Sequence, residues 1–179
     1  ARLRMETREE IRRIQREVQI TAVFVTHDQE EAMSISDRIA VIREGALQQY
    51  DVPQRIYREP ANRFVAKFLG TPPINLLQAA VKDGLLVCGD TPLAAARKAA
   101  KGPALVGIRP EAFVPDPEGF DVVIRKAEML GRDTILSFTL DNQPVKALIS
   151  SDENVQPGDT LRLRVKREQI LRFDEETQK

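Results

Sequence analysis

The hydrophobic pattern changes its period once, near Gly70-Thr71-Pro72-Pro73, and a chain broken in this way folds as two units. Before the break, helical and strand patterns alternate. Ile11, Ile14 and Val18 stand at helical spacing within residues 3–18, while Glu9 with Arg13 and Arg13 with Glu17 can pair one turn apart on the wet face. Ile20-Thr21-Ala22-Val23-Phe24-Val25 is nearly continuous in apolar, mostly β-branched residues, which predicts a strand buried on both faces, as in a parallel sheet. Asp28 then caps a second helix, with Glu31 at the capping-box position. Residues 38–42 and 47–50 read as strands turning at Glu44-Gly45. Pro53 opens one short helix, and Asn62 caps another that is expected to bury Phe64, Val65 and Phe68 before Gly70 ends it.

After the break the helical signal almost vanishes. Asp83-Gly84 is a hairpin turn between strands at 76–82 and 85–88. The Ala-rich residues 91–100 predict one short helix, and strands are expected at 105–109, 121–130, 134–140, 145–150, 160–166 and 169–173. Leu161, Leu163 and Val165 alternate with Arg162, Arg164 and Lys166, so that strand has a dry face and a wet one. Short strands separated by Gly, Pro, Asp and Asn predict a small, OB-like barrel. The first half, with two or three strands and few helices, makes a poor domain alone, because an open parallel sheet needs more strands to bury its helices.

Composition removes several classes of function. Lys+Arg and Asp+Glu both number 27, so no basic excess points to nucleic acid. Aromatic residues are 5% and Trp is absent, which also argues against an OB-like surface that stacks single-stranded bases. Cys88 is the single cysteine, so no internal disulfide forms and a reducing compartment is expected. It lies in an apolar run and reads as a small buried side chain rather than a nucleophile. One histidine and one cysteine do not build a usual zinc site, so no metal is expected here. No apolar run approaches the roughly 20 residues that span a bilayer. The start, Ala1-Arg2-Leu3-Arg4, is neither an initiator methionine nor a signal peptide, and the expectation is a piece of something longer.

His27, the only histidine, directly follows the expected strand and precedes the Asp28-capped helix. In open α/β sheets ligands bind at that carboxyl edge. An imidazole there can hydrogen-bond a terminal phosphate or orient a water. It can equally be a turn residue with no chemistry, and position alone leaves both readings open. Gly84 and Gly89 have P-loop spacing and precede Asp90-Thr91. An aspartate where phosphate needs a lysine repels the ligand, so this is read as a hairpin and not a nucleotide loop.

The run Thr26-His27-Asp28-Gln29-Glu30-Glu31-Ala32, followed by Ser36-Asp37-Arg38-Ile39-Ala40-Val41, resembles the switch (H-loop) region of ABC ATPases. Gly45, Gln48-Gln49, Pro53, Tyr57, Pro60-Ala61-Asn62, Phe64-Val65-Ala66, Phe68, Gly70, Pro73 and Asn75-Leu76-Leu77 continue the likeness in order. The pattern is similar to importer ATPases that serve maltose, other sugars and glycerol 3-phosphate. Val106-Gly107-Ile108-Arg109-Pro110-Glu111 resembles the Gly-Ile-Arg-Pro-Glu segment of their regulatory (TOBE-type) domain. Glu128, Gly131, Asp133, Pro157-Gly158 and Phe173-Asp174 also fall at positions expected of it.

The resemblance implies an α/β remnant of an ABC nucleotide-binding domain over 1–69, then a mainly β, OB-like regulatory domain over 70–179. It gives His27 the γ-phosphate contact and a catalytic role, with ATP and Mg2+ as cofactors of the intact protein and none expected on this chain. It implies a homodimer working with membrane-spanning permease subunits at the cytoplasmic face of the cell membrane, and no nucleic acid. Walker A, Gln loop, signature and Walker B motifs are not in the sequence, so the chain by itself is expected to be inactive. A competing expectation is a separate module sensing an oxyanion or another small ligand.

Overall fold

A computed structural model describes residues 2–96 and 102–173, with side chains from Glu6 onward in the first helix. Contacts divide the chain into two units, Ala1–Ala61 and Asn62–Lys179. Among the described residues, no helix is long and apolar enough to cross a membrane.

The first unit contains helices α1 (Arg2–Val18) and α2 (Gln29–Ile35), the hairpin β1 (Ile39–Arg43) and β2 (Ala46–Asp51), and helix α3 (Pro53–Arg58). The local signals hold well here. Asp28 accepts the Glu31 N–H at the start of α2, and Pro53 occupies the first turn of α3. Glu44 and Gly45 take positive φ of 50° and 77°, the left-handed pair that a two-residue hairpin turn requires. On α1, Arg13 pairs with Glu10 at 2.7 Å and Glu17 at 2.6 Å, so the expected Glu9 partner is replaced by Glu10, one residue closer.

The expected buried strand at 20–25 is not formed. The segment has no regular secondary structure, and Val23 and Val25 are 90% and 91% exposed. A strand of a parallel sheet draws its hydrogen bonds from neighbours and its burial from helices on both faces. No strand among the described residues pairs with this segment. Ile11, Ile14, Val18 and Phe24 are exposed as well, so the apolar face of α1 and this segment lie open together.

The second unit begins with helix α4 (Arg63–Phe68), capped by the Asn62 side chain on the Val65 N–H. Val65 and Ala66 are fully buried, but Phe64 is half-buried and Phe68 is 40% exposed. The two rings stack on each other at 5.6 Å, one turn apart, instead of entering the core.

Eight of the β elements follow the Pro-Pro break in close succession: β3 (Asn75–Lys82), β4 (Leu85–Cys88), β5 (Thr91–Ala95), β6 (Gly102–Ile108), β7 (Phe113–Val123), β8 (Lys126–Leu130), β9 (Asp133–Leu140) and β10 (Gln143–Ser150). Then come β11 (Thr160–Val165) and β12 (Ile170–Phe173). All pairings are antiparallel, in sheets ordered β12-β6-β3-β4-β5, β10-β9-β8 and β11-β7. Their inner faces share one core, with Leu77, Val106 and Ile108 from the first, Leu136, Phe138 and Val145 from the second, and Phe113, Leu163 and Val165 from the third.

Three expectations change in this unit. The 91–100 segment is not helical where described: Thr91–Ala95 pairs with β4 and buries Leu93, so cross-strand packing overrides alanine's helix preference, while residues 97–101 lie outside the described residues. The 121–130 strand is two strands. Ile124 donates to the Asp159 carbonyl and Arg125 to that of Ser137, which hands the chain from the two-stranded sheet to the three-stranded one. For the same reason the hydrogen-bonded ladders form three sheets and do not close into a single barrel. Where β11 pairs with β7 the register jumps between Arg162 and Leu163 of β11, and Gly119 of β7 lies so near the Leu163 carbonyl that a Cβ would stand 2.3 Å from its oxygen.

Asn75 joins two of the sheets. Its amide nitrogen donates to the carbonyls of Ile108 (2.9 Å) and Lys146 (2.8 Å), and its oxygen accepts the Lys146 N–H (2.7 Å). Asn75→Leu leaves these backbone groups unsatisfied beside an apolar side chain, and is expected to cost about 2–4 kcal/mol in urea unfolding of the chain. A loss below about 0.5 kcal/mol, the range of ordinary surface changes, would show that water replaces the amide there.

Candidate functional site

His27 is an exposed residue between two tightly held neighbours. The Thr26 hydroxyl donates to Glu31 Oε2 at 2.6 Å and accepts the Asp28 N–H at 3.0 Å. Asp28 Oδ1 accepts the Glu31 N–H at 3.0 Å, while Oδ2 accepts from Arg8 Nη2 at 3.4 Å. Arg8 Nε lies 3.9 Å from Glu31 Oε1, and its side chain is only 13% exposed. The capping box is therefore indirect: the Thr26 hydroxyl relays between Glu31 and the Asp28 N–H. Further along α1, Arg12 donates to the Ser34 carbonyl at 3.0 Å and pairs with Asp37 at 3.5 Å. Two arginines one turn apart thus bind α2 to α1, one at each end of the short helix.

None of the hydrogen bonds of this turn involves the His27 imidazole, which stays available to a ligand. It offers a phosphate oxygen one hydrogen-bond donor. The first turn of α2 offers little more, since Asp28 already occupies the Glu31 N–H and Glu30 and Glu31 add negative charge. Among the described residues, no three His, Cys, Asp or Glu side chains gather where a metal would sit. The turn thus presents one exposed imidazole and, among the described residues, no ligand set for a metal ion.

The other singled-out residues are placed in structural roles. Gly84 and Gly89 lie in the turns flanking β4, and a Cβ on Gly89 would collide with the Asp141 side chain, consistent with a turn and not a phosphate loop. Cys88 is fully buried, and burial, with Asp141 nearby, pushes its thiol pKa up, away from nucleophilic use. Arg109 is buried and donates to the Leu69 carbonyl at 2.7 Å, fastening the end of β6 to the end of α4. Glu128 pairs with Lys126 at 2.8 Å, which lowers its pKa, and Gly131 takes φ of 64° in the β8–β9 turn. Asp174 lies outside the described residues. Arg162 and Arg164 pair with Asp121 and Asp116 on the outer face of β11.

Residues 106–173, the strands from within β6 to β12, match the TOBE domain family. The whole chain is 41% identical over 180 residues to the sn-glycerol-3-phosphate import ATP-binding protein UgpC of Jannaschia sp. (strain CCS1), covering 97% of this chain and 50% of the relative. It is 37% identical over 180 residues to the putative ABC transporter ATP-binding protein MG187 of Mycoplasma genitalium, covering 99% and 31%. It is 35% identical over 191 residues to the sulfoquinovosyl glycerol transport ATP-binding protein SmoE of Agrobacterium fabrum, covering 100% and 53%. Among solved structures, the cytoplasmic molybdate-binding protein ModG aligns at a TM-score of 0.43 and 11% identity, covering 54% of this chain and 93% of that one. Over residues 106–173 the chain is similar to the TOBE domain family. It is related over nearly its whole length to the ATP-binding proteins of ABC importers, and spans about half the length of the curated relatives it matches.

Proposed function

We propose that this chain is part of the ATP-binding, ATP-hydrolysing subunit of a bacterial ABC importer for a sugar or a related solute such as glycerol 3-phosphate. The 41% identity to an import ATP-binding protein, running through both units, carries this reading. In it, residues 1–69 are the end of the nucleotide-binding domain and 70–179 the regulatory, OB-like domain. The exposed faces of α1 and of residues 20–25 are surfaces that the rest of an α/β nucleotide-binding domain covers. His27 contacts the γ-phosphate of ATP bound with Mg2+ by elements outside this chain. His27 adds one positioned hydrogen bond to that phosphate. The subunit works as a homodimer against membrane-spanning permease subunits, at the cytoplasmic face of the membrane.

The 179-residue chain by itself is expected to hydrolyse no ATP above buffer and to bind ATP more weakly than millimolar, because phosphate loops supply most of the binding in such sites. Calorimetry and phosphate release on the purified chain test this. Turnover by the chain alone that disappears in His27→Ala would overturn the division of labour.

A further inference from the structure

From the closed ring Thr26–Glu31–Arg8–Asp28, which fastens both neighbours of His27, we propose that Arg8 is a positioning residue for the His27 imidazole. The inference rests on the γ-phosphate role proposed for His27. Each link of the ring has its own atom. Asp28 uses one carboxylate oxygen for the Glu31 N–H and the other for Arg8, and Glu31 presents one oxygen to Thr26 and the other to Arg8. Arg8 therefore acts on the turn from a different helix, 20 residues away in sequence. Without it, the Thr26, Asp28 and Glu31 contacts within residues 26–31 remain and Arg12 still holds the far end of α2, but the Arg8 contact at the His27 end is lost.

The guanidinium is suited to this because it is planar and can face two carboxylates at once, whereas an ammonium is a single point charge. Its Nε is buried and has no hydrogen-bond partner, since the approach to Glu31 is 3.9 Å. The clamp thus keeps one donor unspent, and a small inward shift of Glu31 satisfies it. The effect belongs in the transition-state contact and not in ground-state binding, because His27 supplies one hydrogen bond to a nucleotide held elsewhere. Misplacing a catalytic group by about 1 Å costs on the order of a hundred-fold in rate.

The test uses the full-length ATP-binding protein with Arg8→Gln, Arg8→Lys and His27→Ala, measuring kcat, the ATP Kd and the melting temperature. Arg8→Gln is expected to lower kcat by about ten- to a hundred-fold with the ATP Kd unchanged, and Arg8→Lys to recover part of it. A normal kcat in Arg8→Gln beside an inactive His27→Ala would overturn the positioning role and leave the His27 reading standing. An active His27→Ala would remove the reading itself. Equal losses in the Gln and Lys variants with weakened ATP binding and lowered melting would make Arg8 merely structural, against the proposal. A readout free of activity comes from the chain as described: the backbone amide of His27 is expected to become more mobile by NMR relaxation in Arg8→Gln. An unchanged order parameter would contradict the clamp.

Discussion

Phe138→Ala is expected to destabilise the β-rich unit by about 3–5 kcal/mol, the usual cost of emptying a buried phenylalanine site. Phe138 on β9 is 2% exposed, and its ring meets that of Phe113 on β7 edge to face at 5.7 Å and 87°. The pair joins sheets that share no hydrogen-bonded ladder, so the cavity opens where two layers meet and neither strand can collapse to fill it. The aromatic contact adds about 0.5–1.5 kcal/mol beyond area burial. Urea unfolding followed by the β-sheet circular-dichroism signal reads the effect. Val123→Ala, at a site 60% exposed, serves as the control and is expected to change stability by less than about 0.5 kcal/mol. Similar small losses for both variants would mean that the three sheets do not share a core.

What was legible in the sequence was local chemistry. The Asp28 and Asn62 caps, Pro53 in a first turn and the hairpins at Glu44-Gly45 and Asp83-Gly84 each depend on a few adjacent residues, and each forms as expected. The Leu161–Leu163–Val165 alternation reads true for the same reason, since a strand's two faces are fixed by its period. The misreadings depend on partners. Residues 20–25 have the composition of a buried strand, but strand formation needs a neighbour's ladder. The 91–100 segment has the composition of a helix, but over Thr91–Ala95 β4 supplies a ladder. β7 runs through Pro115, Pro117 and Gly119, which interrupt strand alternation, because prolines are tolerated where the β7–β11 register slips and needs no donor.

The site divides in the same way. His27 could be found from the sequence because it sits inside a contiguous motif. Arg8 could not, because its connection to Asp28 and Glu31 exists only once α1 and α2 lie side by side. The available signal was a pair of arginines, Arg8 and Arg12, one turn apart on a face other than the one bearing Arg13 and its acidic partners.

The central claim is that His27 contacts the γ-phosphate during hydrolysis. Its exposure, its freedom from the hydrogen bonds of its own turn and the rigid fastening of Thr26 and Asp28 support a group held ready for an outside ligand. A contact of that kind acts mainly when charge redistributes in the transition state, so it should influence the chemical step far more than nucleotide affinity. The direct measurement is single-turnover ATP hydrolysis by the full-length protein and its His27→Ala variant, with ATP affinity determined separately for both. Hydrolysis is expected to fall by about a hundred-fold or more, the scale of losing one transition-state donor, while ATP binding stays nearly intact. A variant that binds ATP poorly but hydrolyses bound ATP at the normal rate would make His27 a ground-state ligand and contradict the account.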